Sequence, residues 1–81
     1  MESPAVSQWT HCKRREFVRC LRGLGFDGPF SGTRHQFMVS GTHRLTIPSN
    51  AEYSVPQLRM LLLEVETIIG RVITAQEWNQ L

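Results

Sequence analysis

Gly32-Thr33-Arg34-His35-Gln36-Phe37-Met38-Val39-Ser40-Gly41-Thr42-His43-Arg44-Leu45-Thr46-Ile47-Pro48 is the stretch on which the fold of this chain turns. Ser31-Gly32-Thr33 has the composition of a turn, and His35, Phe37 and Val39 then alternate with Gln36 and Met38 in the period-two pattern of a strand. Ser40-Gly41-Thr42 reverses the chain. His43, Leu45 and Ile47 alternate with Arg44 and Thr46, and Pro48, which has no N–H to give to a ladder, closes the segment. Parity selects the register of this hairpin. A two-residue turn at Gly41-Thr42 sets Phe37 opposite Thr46 and mixes apolar with polar. A three-residue turn over 40–42 sets Val39 opposite His43, Phe37 opposite Leu45 and His35 opposite Ile47, which keeps one face apolar, so this is the expected register. It holds His35 and His43 at opposite ends of the hairpin, roughly 13 Å apart at about 3.3 Å per residue, too far to act on one phosphate.

Upstream, Phe26 to Phe30 reads as a short strand, and its Gly28 and Pro29 suit a sheet edge. A helix is expected from about Thr10. Phe17, Leu21 and Leu24 recur at helical spacing with Cys20 beside them, Lys13, Arg14, Arg15, Arg19 and Arg22 cover the outside, and Gly25 suits a left-handed terminus. Residues 1–9 have no periodic pattern and read as a loosely ordered lead-in tied down by Trp9. Downstream, Ser49 to Tyr53 is a polar connection. Ser54-Val55-Pro56-Gln57 has the form of a capping box with proline in the first turn. Val55, Leu58, Leu61, Leu62, Val65, Ile68 and Ile69 then make a buried helical stripe that Gly70 ends, with Leu63 off the stripe and Met60 at its edge. Thr74-Ala75-Gln76-Glu77 is a second capping box, opening a short helix whose Trp78 and Leu81 dock on the body. The fold class is α+β: a three-stranded antiparallel sheet with two helices on one face and a short C-terminal helix.

Eighty-one residues make one domain, with a core that supplies about 3–5 kcal/mol of net stability. The longest strictly apolar run is Met60-Leu61-Leu62-Leu63, and Met1 to Thr10 has neither the basic start nor the apolar core of a signal peptide; no membrane role and a cytoplasmic setting are expected. Cys12 and Cys20, placed on one helix, lie about 12 Å apart along its axis, too far for a disulfide. No CxxC or HxxxH spacing occurs, so no metal and no cofactor are expected. Charge is uneven. Residues 1–45 hold seven Lys/Arg against three Asp/Glu, and residues 46–81 hold two against four. The basic half contains His35, which points to a polyanion, RNA or DNA, as partner.

His is the residue type whose ordinary pKa, about 6.5, lets it give and take protons near neutrality. An arginine beside it supplies a fixed charge suited to phosphate. His35, with Arg34 next to it, is therefore the candidate catalytic residue.

The order α-β-β-β-α, with Leu24-Gly25-Phe26 ending the first helix, Gly32-Thr33-Arg34-His35-Gln36-Phe37 opening the second strand and Leu45-Thr46-Ile47-Pro48 closing the third, resembles the HicA (YcfA-like) toxins from about Lys13 to Gly70. The resemblance implies a double-stranded-RNA-binding-domain-like fold over 10–70, followed by an extension over 71–81. It also implies the toxin of a type II toxin–antitoxin pair, an endoribonuclease that cleaves mRNA and is neutralised by a HicB-like antitoxin. The family's catalytic histidine stands in a Gly-Ser-x-His motif, and that position here is His35, with Thr33 for the serine. Gly32, Thr33, Arg34 and Arg44, with Lys13 and Arg14 of the basic segment, are the expected RNA and phosphate ligands. Where the family's second helix carries basic residues this chain has Leu63, Glu64 and Glu66, which leaves an acidic and apolar patch for a protein partner. One histidine within reach implies a slow enzyme with no base specificity of its own. The alternatives are a non-catalytic RNA-binding module, or an interaction protein whose contact residues are Leu63, Met60 and Trp78.

Overall fold

The computed structural model describes residues 8–81, so the expected lead-in lies outside it apart from Gln8 and Trp9. Trp9 is half-buried against the core, and the Arg59 guanidinium lies 5.1 Å from the centroid of its ring.

The first helix starts later than its apolar periodicity suggests. Cys12–Lys13 is a strand (β1), and the helix α1 occupies Arg14–Gly23. Cys12 pairs with Tyr53 and Lys13 with Glu52, in an antiparallel ladder with the two-residue strand β5 (Glu52–Tyr53). The Arg14 N–H donates to the Ala51 carbonyl at 3.0 Å, and the Lys13 N–H to the Glu16 carboxylate at 3.3 Å. The Cys12–Lys13 segment and the Arg14 N–H are thus committed to the distant segment around Ala51–Tyr53, and two-residue strands leave no periodic trace in a sequence. Cys12 is therefore in a strand and Cys20 in α1. Both are buried free thiols, and the one-helix spacing that separated them above does not apply. Gly25, at φ 99°, turns the chain out of α1.

Asp27–Phe30 (β2), Gln36–Ser40 (β3) and His43–Ile47 (β4) form a three-stranded antiparallel sheet in that order. Its hairpin has the register set aside above. Ser40 pairs with His43, Val39 with Arg44, Met38 with Leu45, Phe37 with Thr46 and Gln36 with Ile47. The turn is Gly41-Thr42, with positive φ (61°) at the glycine alone, the pattern of a type II′ hairpin. Met38, Leu45 and Ile47 point into the core, each at most 2% exposed, while Phe37 and Val39 stand on the opposite face. The expectation of one apolar face fails because the outer face has an apolar cluster of its own, so parity alone could not choose.

β2 contains a bulge. Asp27 pairs with Val39 and Phe30 with Phe37, so three steps on β2 match two on β3. Gly28 sits there at φ 124°, where a Cβ would lie 3.0 Å from the Phe37 carbonyl, and the Gly28–Pro29 peptide is cis. Arg22 of α1 donates from Nε to the Gly28 carbonyl at 2.9 Å.

The long helix α2 runs Val55–Ile69 and the short helix α3 Ala75–Asn79. Ser54 Oγ accepts from the Gln57 N–H at 3.3 Å, and Thr74 Oγ1 from the Glu77 N–H at 3.1 Å. Each expected box closes on one side only. The Gln57 amide goes to Asn50 instead, and the Glu77 carboxylate forms a fork with Arg71 at 2.7 and 2.6 Å. Gly70, at φ 78°, ends α2. Phe17 of α1 is the centre of the core, edge-on to Tyr53 at 5.4 Å and 5.6 Å from Trp78. Trp78 is thus buried rather than a contact residue, whereas Met60 and Leu63 are 70% and 63% exposed. α1 and α2 share one core with the inner face of the sheet, giving the expected α+β architecture. Among the described residues no helix is long and apolar enough to cross a membrane.

Candidate nucleic-acid site

Gly32, Thr33, Arg34 and His35 form the bend between β2 and β3, and all four are exposed. The bend is tight because Gly32 packs directly on the backbone of His35. A Cβ at position 32 would collide with the His35 carbonyl and come within 3.4 Å of the Phe37 ring. Glycine here therefore fixes the path that presents His35 at the head of β3.

The register decides which arginine joins it. With Val39 opposite Arg44, Arg44 shares the outer face with Phe37, and its guanidinium carbon lies 3.9 Å from the centroid of that ring. His35 is exposed in the bend that immediately precedes β3, two residues from Phe37. In the three-residue-turn register Arg44 would have been on the other side. Arg44 starts from the turn end of the hairpin, opposite Val39, and its guanidinium reaches back over Phe37, two residues from His35. His43 stands at the far end of the hairpin, as expected, but opposite Ser40 rather than Val39.

Arg14 and Lys13 are placed differently. Arg14 opens α1 and is half-buried; its charge acts on the Tyr53 hydroxyl, partly offsetting the upward push that burial gives the Tyr53 pKa. That hydroxyl donates to the Pro48 carbonyl at 2.6 Å, and Pro48 follows Ile47, the partner of Gln36. Arg14 thus lies towards the His35 end of the sheet, on the helix side. Lys13 is exposed in the two-stranded ladder and belongs to neither the bend nor the outer face. Of the basic residues assigned to α1, Lys13 precedes the helix. Arg19 donates to the Leu81 carbonyl at 2.8 Å and Arg22 to Gly28, so both are partly engaged within the chain.

Sequence reasoning missed Phe30 and Phe37 as outer-face residues. Their ring centroids are 5.7 Å apart, and Phe30 is 45% exposed. For Phe30 the sequence signal was the Gly28-Pro29 pair, which marks a bulge in a strand and with it a change of facing; the facing of Phe37 follows from the hairpin register. Among the described residues no group of three His, Cys, Asp or Glu side chains is placed to hold a metal ion. Comparison with protein-family models, curated proteins and solved structures gives no match.

Proposed function

We propose that the chain is an endoribonuclease toxin of the kind its HicA resemblance implies, cleaving mRNA in the cytoplasm with His35 as its catalytic residue and restrained by a HicB-like antitoxin. The observation that supports it best is the bend itself: an exposed histidine at the head of a strand, on a path that glycine alone permits, with Arg34 adjacent in the chain and the Arg44 guanidinium over Phe37, two residues on.

The chemistry asks little of the protein. RNA brings its own nucleophile, the 2′-hydroxyl. A base takes the 2′-OH proton, the 2′-oxygen attacks phosphorus, and the bond to the 5′-oxygen breaks as that oxygen takes up a proton. The products are a 2′,3′-cyclic phosphate and a 5′-hydroxyl. His35 acts as the base or the acid, a role that contributes about 10²–10⁴-fold to the rate. Arg44 and Arg34 stabilise the charge that grows on the phosphate oxygens, and the N–H groups of the Gly32–Thr33 turn add donors to them. The antitoxin would find its apolar contact on α2, where Met60 and Leu63 are exposed with Glu64 beside them.

The test compares the wild-type chain with His35→Ala on a labelled RNA in EDTA, and in cells with and without a HicB-like protein. His35→Ala is expected to lower cleavage by about 10²-fold or more and to abolish growth arrest, while its melting temperature stays unchanged because His35 is exposed. Undiminished cleavage by His35→Ala would refute the assignment. Binding of RNA without products from the wild-type chain would favour an RNA-binding module.

A further inference from the structure

Phe30, Phe37 and Arg44 form a row across β2, β3 and β4 on the face turned away from the helices. The two rings lie 5.7 Å apart and the guanidinium caps Phe37 at 3.9 Å, so three flat groups follow one another across the sheet. The row ends in an open ring at one side and a guanidinium plane at the other. Unpaired nucleobases stack on surfaces of both kinds, and do so with little regard for sequence. The charge matches. From Gly28 to Ile47 the chain has two arginines, two histidines and no carboxylate. Asp27, the one acidic residue of the sheet, pairs with Val39 from the side opposite Arg44, at the turn end of the hairpin and away from Phe30 and His35. Arg34 has no ion-pair partner among the described residues.

We infer that the open face of this sheet is a stacking platform for single-stranded RNA, with bases on the Phe30 ring and the Arg44 guanidinium and the backbone led towards the His35 bend. The destination rests on the nuclease reading; the platform does not. A duplex hides its base faces within its own stack and leaves nothing for Phe30 to receive, so the platform selects unpaired substrate.

The experiment measures binding of a fluorescein-labelled, fully 2′-O-methylated oligonucleotide, single-stranded and as a duplex, by anisotropy. This strand lacks the nucleophile, so binding is read apart from cleavage. The wild-type chain is expected to prefer the single strand. Phe30→Ala should weaken that binding by about 5- to 100-fold, the loss that removal of one base–aromatic stack produces, and leave duplex binding unchanged. Phe30→Trp should keep or tighten it, which provides a readout should Phe30→Ala fold poorly. Equal affinity for both forms, no binding of either, indifference to Phe30→Ala in a folded protein, or loss of binding in folded Phe30→Trp would each overturn the platform. A wild-type chain that binds the single strand but leaves ordinary RNA intact overturns the proposed catalysis and keeps the platform. One that cleaves RNA while ignoring position 30 does the reverse.

Discussion

Gly32 is needed for what lies next to it, since its own φ is not in the left-handed region. Replacing it with alanine puts a methyl group into the His35 carbonyl, so the bend must open and His35 must move. Gly32→Ala is expected to reduce RNA cleavage at least 10-fold, since a displacement of about 1 Å at a reacting group can cost 10²-fold. Its effect on stability should be smaller, on the order of 1 kcal/mol, because the bend is exposed; parallel activity and urea-unfolding measurements check both. The buried thiols behave in the opposite way, touching stability and not the site. Burial, helped by the nearby Cys20 and Glu16, lifts the Cys12 pKa from 9.0 to about 11. The neutral thiol is thus favoured in the folded chain. The stability this contributes is complete below pH 9 and is lost as pH rises through about 11, a decline on the order of 2 kcal/mol. Chemical denaturation at pH 8 and pH 11 should show a decline that Cys12→Ala reduces, and native thiols should react slowly with Ellman's reagent at pH 7 until denaturant is added. The position of His35 was legible because a Gly turn and a strand start are both local signals. The facing of Arg44 was not, since it depends on which residues across the hairpin share a side.

Elements announced themselves in proportion to their length. The fifteen residues of α2 display their stripe plainly, and Gly70 ends it where expected. The two-residue strands β1 and β5 could not be seen, because only the partner strand makes either of them a strand. The capping boxes were legible as caps but not as boxes. Whether Gln57 and Glu77 reach back depends on Asn50 and Arg71, whose positions the local sequence does not contain. Ser54→Ala is therefore expected to destabilise by about 1 kcal/mol through loss of the hydroxyl acceptor. Gln57→Ala should do little to the helix end, as its amide is engaged elsewhere. Thermal unfolding of the two variants distinguishes the roles. The Arg71–Glu77 fork holds the Glu77 carboxyl below the usual range, chiefly through the hydrogen bond. Its support for α3 is thus present at neutral pH and lost as pH falls through that lowered value, a loss that Glu77→Gln should remove.

At the scale of the molecule, the C-terminal segment is part of the core. Trp78 is buried against Phe17, Ile73 is buried too, and the Ile73 N–H donates to Glu66 at 2.7 Å. Trp78→Ala is expected to cost about 3–5 kcal/mol, close to the whole stability of so small a domain, and circular dichroism should show a chain largely unfolded at 37 °C. The sequence suggested docking for Trp78 and also offered it as a contact residue; only the packing around Phe17 decides between them.

The β1–β5 ladder has a kinetic consequence. It joins positions that flank the whole three-stranded meander, the most distant strand pairing in the chain, whereas β2, β3 and β4 pair with their immediate successors. Closing the longer loop before the meander exists fixes chain entropy with little to offset it. The meander should form early and the ladder should snap shut after the barrier. Tyr53→Phe, which removes the hydroxyl that ties β5 to Pro48, should then speed unfolding and hardly change the folding rate. Met38→Ala, in the middle of the meander, should slow folding itself, and the two limbs of a chevron plot would show the difference.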